Sequence, residues 1–128
     1  MKNKILDDFY SEISSTYSTP SQDEFKCQIK LNHLHPIYRG HFDGFPVTPG
    51  VCLIQIIKEL LMDKLQKDLF MTSGDTIKFL IMINPETTSD FDVAFVVKNN
   101  TSSLDVSAVF SHENTAYMKF KGSFKILE

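Results

Sequence analysis

The most restrictive feature of this chain is that it carries one strongly helical segment inside sequence that otherwise alternates with a period of two. Thr48-Pro49-Gly50 leads into Val51-Cys52-Leu53-Ile54-Gln55-Ile56-Ile57, where Gln55 alone is polar. Thr48 is suited to cap a helix there, and proline is tolerated at the first helical position because that N–H has no intrahelical partner anyway. The pattern predicts a helix over 49–67. A helix apolar on every side has no solvent face and has to be buried. Its second half, with Lys58, Glu59, Asp63, Lys64, Gln66 and Lys67, becomes amphipathic and surfaces. A chain of 128 residues supports one sizeable core, so everything else has to enclose this helix.

The enclosing elements read as strands. In Glu24–Leu31, Phe25, Cys27, Ile29 and Leu31 alternate with polar residues, the pattern of a half-buried strand. Further strands are predicted over 76–84, 91–98, 104–111 and 116–126. A turn at Ser73-Gly74-Asp75 precedes them, and Asn99-Asn100-Thr101 and His112-Glu113-Asn114 sit at hairpin spacing. Such short breaks favour antiparallel neighbours. Residues 1–22 are ambiguous: Ile5, Leu6, Phe9, Tyr10, Ile13 and Tyr17 have spacings that suggest a short helix near 3–13, whereas 14–19 suits strand or loop. Residues 32–48 break the alternation with His, Pro and Gly and form a long loop, a common place for function. The expected architecture is α+β, one domain over 1–128, with a long central helix against one face of a curved antiparallel sheet of about five or six strands.

Composition removes several functional classes. Thirteen basic and 16 acidic residues give a net charge of −3, without the basic excess of a nucleic-acid binder. No apolar run approaches the roughly 20 residues of a membrane span, and Met1–Asp8 lacks a signal-peptide core. Cys27 and Cys52 form no CxxC or Cys/His spacing, so neither a zinc site nor a disulfide scaffold is expected. A reduced cytoplasmic domain is the default. Eleven phenylalanines and no tryptophan mean rings without polar handles, which pack on each other or line an apolar cavity.

Chemistry concentrates in Arg39–Gln55. His41, a titratable ring, lies between Gly40 and Phe42, and Pro46 and Pro49 stiffen a loop that feeds a helix N-terminus. The orphan amides of that terminus can bind the oxygen of a polarised carbonyl. A histidine base beside such an amide site suits acyl or thioester chemistry.

The run Gly40-His41-Phe42-Asp43-Gly44-Phe45-Pro46-Val47-Thr48-Pro49-Gly50-Val51 resembles the signature of the hotdog-fold β-hydroxyacyl-acyl-carrier-protein dehydratases of the FabZ type, roughly G-H-F-P-x-x-P-V-x-P-G-V before an apolar helix. Asp43 stands where that family usually has proline. The resemblance extends from about residue 24 through most of the chain, and Pro85 looks like the proline that often follows the third strand there. It implies a hotdog fold and removal of the α-proton of a 3-hydroxyacyl thioester by His41. It further implies a thioester carbonyl bound by the amides of Gly50 and Val51, with Pro49, Phe42 and Phe45 lining the acyl channel. It implies an acyl carrier protein as partner, no cofactor, and catalytic groups drawn from both subunits of a dimer. The assembly would be a homodimer joined sheet edge to sheet edge or higher, such as a trimer of dimers, or a hetero-oligomer with a related dehydratase.

One departure matters most. The family's Pro-Gly-Val-x-x-x-Glu puts a carboxylate where this chain has Gln55. An amide cannot donate a proton as a carboxylic acid does, although it can hold a water or the substrate hydroxyl. Glu59 follows four residues later on the same helix face, where the family often has glutamine, so Gln55…Glu59 reads as a swapped pair. The alternative placing of Glu59 is as a surface charge. His33, His35 and His112 read as polar loop residues, Cys52 as a small buried apolar residue, and Asp43 as a turn former. The favoured activity is dehydration to a trans-2-enoyl thioester in fatty acid or related lipid or polyene synthesis. The rivals are a hotdog acyl thioesterase and a non-catalytic acyl-binding partner subunit of an active dehydratase.

Overall fold

The computed structural model describes residues 7–17, 23–39 and 46–127. Its elements are strands β1 (Tyr10–Tyr17) and β2 (Glu24–Leu31), a 3-10 turn (Pro36–Tyr38), helix α1 (Gly50–Leu65), then β3 (Asp68–Phe79), β4 (Asp90–Asn100), β5 (Ser103–His112) and β6 (Thr115–Leu127). The six strands form one sheet in the order β1-β2-β4-β5-β6-β3, and every pairing is antiparallel. The β5–β6 hairpin turns through Glu113 and Asn114, both at positive φ, as a two-residue loop matched to strand twist requires.

The alternation read in the sequence becomes one buried face. Phe25, Cys27, Ile29 and Leu31 of β2 turn inward with Phe91, Val93, Phe95 and Val97 of β4, Leu104, Val106, Ala108 and Phe110 of β5, and Met118, Phe120 and Phe124 of β6. They share one core with Cys52, Leu53, Ile56, Ile57, Leu60 and Leu61 of α1. Phe25 stacks on Phe95 with ring centroids 4.7 Å apart. The curved antiparallel sheet around one central helix is the hotdog fold.

Four expectations change. Residues from Tyr10 onward are strand, not part of a helix near 3–13, because β1 finds a partner in β2 from Tyr10↔Leu31 to Tyr17↔Phe25; residues 1–6 lie outside the described ones. Ser73-Gly74-Asp75 is no turn: β3 runs through it, with register shifts at Met71/Ser73 and Gly74/Thr76 that absorb the turn-forming residues as bulges. There Gly122 of β6 lies so close to the Ser73 carbonyl and the Phe120 ring that a β-carbon would collide with both. The strand expected over 76–84 stops at Phe79; beyond it the amides of Leu80 and Ile81 both donate to the Tyr117 carbonyl. Helix α1 starts at Gly50 with Pro49 as its cap residue and no side-chain cap bond. Thr48 is engaged elsewhere, its hydroxyl 3.0 Å from Tyr38 Oη and its amide donating to the Ile83 carbonyl at 2.8 Å.

The helix is also not buried all round. Val51 is 75% exposed, although it stands in the most apolar stretch, and Ile54 and Gln55 are half-buried. Conversely Glu59, in the polar half, is 2% exposed. At the far end Gln66 adopts a left-handed conformation and its amide closes on the Met62 carbonyl, ending the helix.

Candidate active site

The site is assembled around the start of α1. Its first intrahelical bond is short-range, Cys52 N–H to the Pro49 carbonyl at 3.0 Å, which leaves the amides of Gly50 and Val51 ahead of it with no intrahelical acceptor. Their positive end of the helix dipole favours negative charge on an approaching oxygen. The backbone entering the helix is held from two sides: Thr48 is tied to Tyr38 and to Ile83. Burial pushes the Tyr38 phenol up to about 12, against the opposing effect of its bond to Thr48, so the pair stays a neutral hydrogen bond. The Phe79 ring lies over Gly50, with its Cζ only 2.6 Å from where a β-carbon would be. Glycine at 50 therefore lets an aromatic ring pack directly against the backbone at the helix start.

One turn further, Gln55 Nε2 donates to Glu59 Oε2 at 3.1 Å, and the Tyr10 hydroxyl donates to Glu59 Oε1 at 3.0 Å. Burial, then the neighbouring Glu59 charge, pushes the Tyr10 phenol far above its ordinary value, so it serves as a proton-bearing donor. Glu59 is thus no surface charge. It sits beneath Gln55, between the helix and β1, and Gln55 is the member of the pair nearer to solvent. Tyr10 is the participant the sequence reading missed; its only signal is the inward alternation of Tyr10 and Glu12, visible once β1 is recognised as a strand.

The expected residues divide accordingly. Pro49, Gly50, Val51, Gln55 and Glu59 fall within the first three turns of one helix. His41, Phe42 and Phe45, with Gly40, Asp43 and Gly44, lie outside the described residues. His35 is structural: its Nδ1 accepts the Ile37 amide at 3.0 Å and caps the 3-10 turn. His112 Nδ1 is 2.8 Å from the Asp90 carbonyl. Cys52 is buried, and burial pushes its thiol up, away from nucleophilic use. Among the described residues, no group of three or more His, Cys, Asp or Glu converges as a metal site, and no helix is long and apolar enough to cross a membrane. Surface clefts of about 210 and 450 Å³ line the sheet around His112 and around Lys98 and Lys121; neither includes Gly50, Gln55 or Glu59.

The model of the ApeI dehydratases, ApeI-like, matches residues 17–121. A 3-hydroxyacyl-[acyl-carrier-protein] dehydratase FabZ of Idiomarina loihiensis is 30% identical over 93 residues, 65% of this chain and 62% of that protein. The match therefore spans less than two thirds of that relative's length. Among solved structures, an uncharacterized protein from Erwinia carotovora subsp. atroseptica superposes with a TM-score of 0.67 at 18% identity, over 92% of this chain and 95% of the other. The dehydratase heterocomplex ApeI:P from Xenorhabdus doucetiae gives 0.64 at 20%, over 92% and 97%. A proposed thioesterase of Lactococcus lactis, yhdA, gives 0.63 at 12%, over 99% and 100%. At these identities the structural likenesses speak for the fold, and dehydratases and thioesterases share it.

Proposed function

The chain belongs to the ApeI-like dehydratase family, and from that premise we propose that it is a FabZ-like 3-hydroxyacyl-[acyl-carrier-protein] dehydratase that forms a trans-2-enoyl thioester. The observation that carries this reading is the helix start itself: the motif run from Gly40 to Val51 ends in two amides ahead of the first intrahelical bond, with the Phe79 ring packed against Gly50.

In the proposed reaction the thioester carbonyl accepts hydrogen bonds from the amides of Gly50 and Val51, which stabilise the negative charge that develops on its oxygen. His41 takes the α-proton. The C–H electron pair forms the α,β double bond as the β-hydroxyl leaves, and that hydroxyl departs as water by taking a proton. Gln55 cannot supply that proton as an acid; it holds the hydroxyl by hydrogen bonding while the His41 imidazolium returns the proton it abstracted. No metal or redox group is consumed in this balance. Phe79, with Phe42 and Phe45 from the motif, would form the apolar lining for the acyl chain.

The reading includes assembly with a second copy. Strand β3 ends the sheet with β6 as its neighbour. The chain around its C-terminal end exposes Phe79, Leu80, Ile81 and Met82, beside the exposed Val51 at the helix start. A second β3 edge laid against this one would cover that surface next to the Gly50 amides and let the substrate lie between subunits. The Xenorhabdus dehydratases form a heterocomplex, so a related dehydratase chain is the other partner to test.

The test is incubation with a 3-hydroxyacyl carrier-protein thioester while enoyl product and free thiol are followed separately. Enoyl product, reduced by roughly 10²–10⁴-fold in His41→Ala as expected for loss of a general base, supports the reading. Free thiol without enoyl product would make the chain a thioesterase. Acyl carrier bound with neither product would make it a binding subunit.

A further inference from the structure

We infer that Glu59 is a positioning residue that turns the Gln55 amide so that its carbonyl oxygen, and not its NH₂ group, faces the reacting hydroxyl. The inference rests on the dehydratase reading for its chemistry, but its geometry stands apart from it. A carboxylate offers only lone pairs. Two donors converge on it here, the Tyr10 hydroxyl at 3.0 Å on one oxygen and Gln55 Nε2 at 3.1 Å on the other. Glu59 is 2% exposed, so it cannot trade these donors for bulk water without cost. The amide nitrogen of Gln55 is thereby committed inward, and Oε1 is the end left toward the half-exposed side of the helix. Tyr10 completes the arrangement from β1, a strand far from the motif in sequence, and its raised pKa keeps it a donor.

The consequence is chemical. A glutamine in this orientation accepts a hydrogen bond from the substrate hydroxyl and orients it; it presents no acidic proton. The same geometry couples positions 55 and 59. A carboxylate introduced alone at 55 would stand about 3 Å from the buried Glu59 carboxylate, where the two cannot both ionise readily. Exchanging both residues would recreate a carboxylate–amide pair in the opposite order, with the acid toward the substrate.

The test uses the whole protein and reads Gln55 directly by NMR, with kinetics on the carrier-protein thioester beside it. In the wild type the Gln55 side-chain NH₂ signals should exchange with water at least about tenfold more slowly than those of the exposed Gln28, as expected for a bond to a charged acceptor. In Glu59→Gln those signals should shift and lose that protection. In the same variant kcat should fall by about tenfold with KM little changed, because an orienting contact is lost more than binding. Gln55→Glu alone should be less stable and no more active than the wild type, whereas Gln55→Glu with Glu59→Gln should recover stability and exceed it in dehydration. Should Glu59→Gln not fold, Tyr10→Phe gives the same readout on a smaller scale. Fast exchange at Gln55 in the wild type, or Gln55 signals indifferent to both substitutions, overturns the inference even if the enzyme is active. Signals that move while no dehydration occurs with any variant leave the positioning intact and count against the dehydratase reading.

Discussion

At the β1 end of the sheet, solvent meets the small polar side chains of Ser11, Ser14, Ser15 and Thr16, with Ile13 and Tyr17 among them; around the end of β3 it meets the unbroken apolar run Phe79, Leu80, Ile81 and Met82. Both strands have a single neighbour in the sheet. The β1 edge carries the devices that discourage further pairing. A register shift between Glu12 and Ser14 leaves Ile13 as the extra residue, and it reverses which side chains face inward. Tyr10 and Glu12 therefore turn to the helix, where Lys64 Nζ meets Glu12 Oε2 at 2.6 Å, while Ser14 turns out to bond Gln28 at 2.6 Å. β3 carries bulges and polar residues along its length, but the chain from its last residue onward, Phe79 to Met82, is apolar and exposed. One edge is finished within the chain; the other gains from being covered, and it lies beside the candidate site.

The largest effect expected is on that contrast itself. Ile81→Glu with Met82→Glu should weaken self-association by at least ~100-fold, since charges placed in a desolvated apolar interface are among the costliest interface changes. Analytical ultracentrifugation reads the change, and dehydration should fall with it. Ser14→Glu with Thr16→Glu on β1 should leave the mass unchanged. Equal behaviour of the two pairs breaks the comparison.

Alkaline stability separates the two regions next. Burial, then the Glu12 charge, pushes the Cys27 thiol beneath β1 from 9.0 up to about 12, and burial pushes Tyr38 beside the helix start from 10.0 up to about 12. Both groups hold their protons more tightly in the folded chain than in the unfolded one. Their stabilisation is complete below the unfolded values and is lost as pH rises through the folded ones. Urea midpoints should therefore decline from about pH 9 to about pH 12. Cys27→Ala should flatten the early part of that decline and Tyr38→Phe the later part. A slope indifferent to both would place the alkaline-sensitive groups elsewhere.

A smaller effect concerns the clamp under β1. Burial works against the Lys64 charge, but the Glu12 carboxylate more than offsets it and holds the lysine pKa up. The pair is largely shielded, with side chains 11% and 22% exposed. Lys64→Met should cost about 1–2 kcal/mol, between the values for surface and buried pairs, and should raise the reactivity of Cys27 toward a thiol reagent as β1 loosens. Smallest is Ser14→Ala, within about 0.5 kcal/mol because its hydrogen bond is exposed; a larger loss would mean that the β1 edge depends on its outer side chains after all.

How much of this was legible in the chain depends on the range of the forces involved. Strand β2 is found where its alternation places it, and β4, β5 and β6 differ from expectation only by one or two residues at their ends. Their inward positions are set by local period and by which side chains avoid water. The helix was legible for the same reason, except at Val51 and Glu59. Hydropathy along a helix assigns them the wrong environments, because exposure there depends on which strand lies opposite. β1 was ambiguous because its helical and strand spacings compete locally and only β2 breaks the tie. Ser73-Gly74-Asp75 looked like a turn because bulged strands and turns recruit the same residues.

By itself, then, the sequence determined the inner face of the sheet, the single central helix, and the motif run from Gly40 to Val51 with an amide at Gln55. These follow from periodicity, turn chemistry and residue identity, which act over a few neighbours. Only the tertiary structure decided that Phe79 covers Gly50, that the apolar edge adjoins the helix start, and that Tyr10 and Gln55 meet on a buried Glu59. Each of those joins residues distant along the chain or turned by a bulge. The first two are settled by which apolar surfaces the folded chain brings together, and the last by the cost of burying a polar group without a partner, which is met only when Tyr10 arrives from another strand.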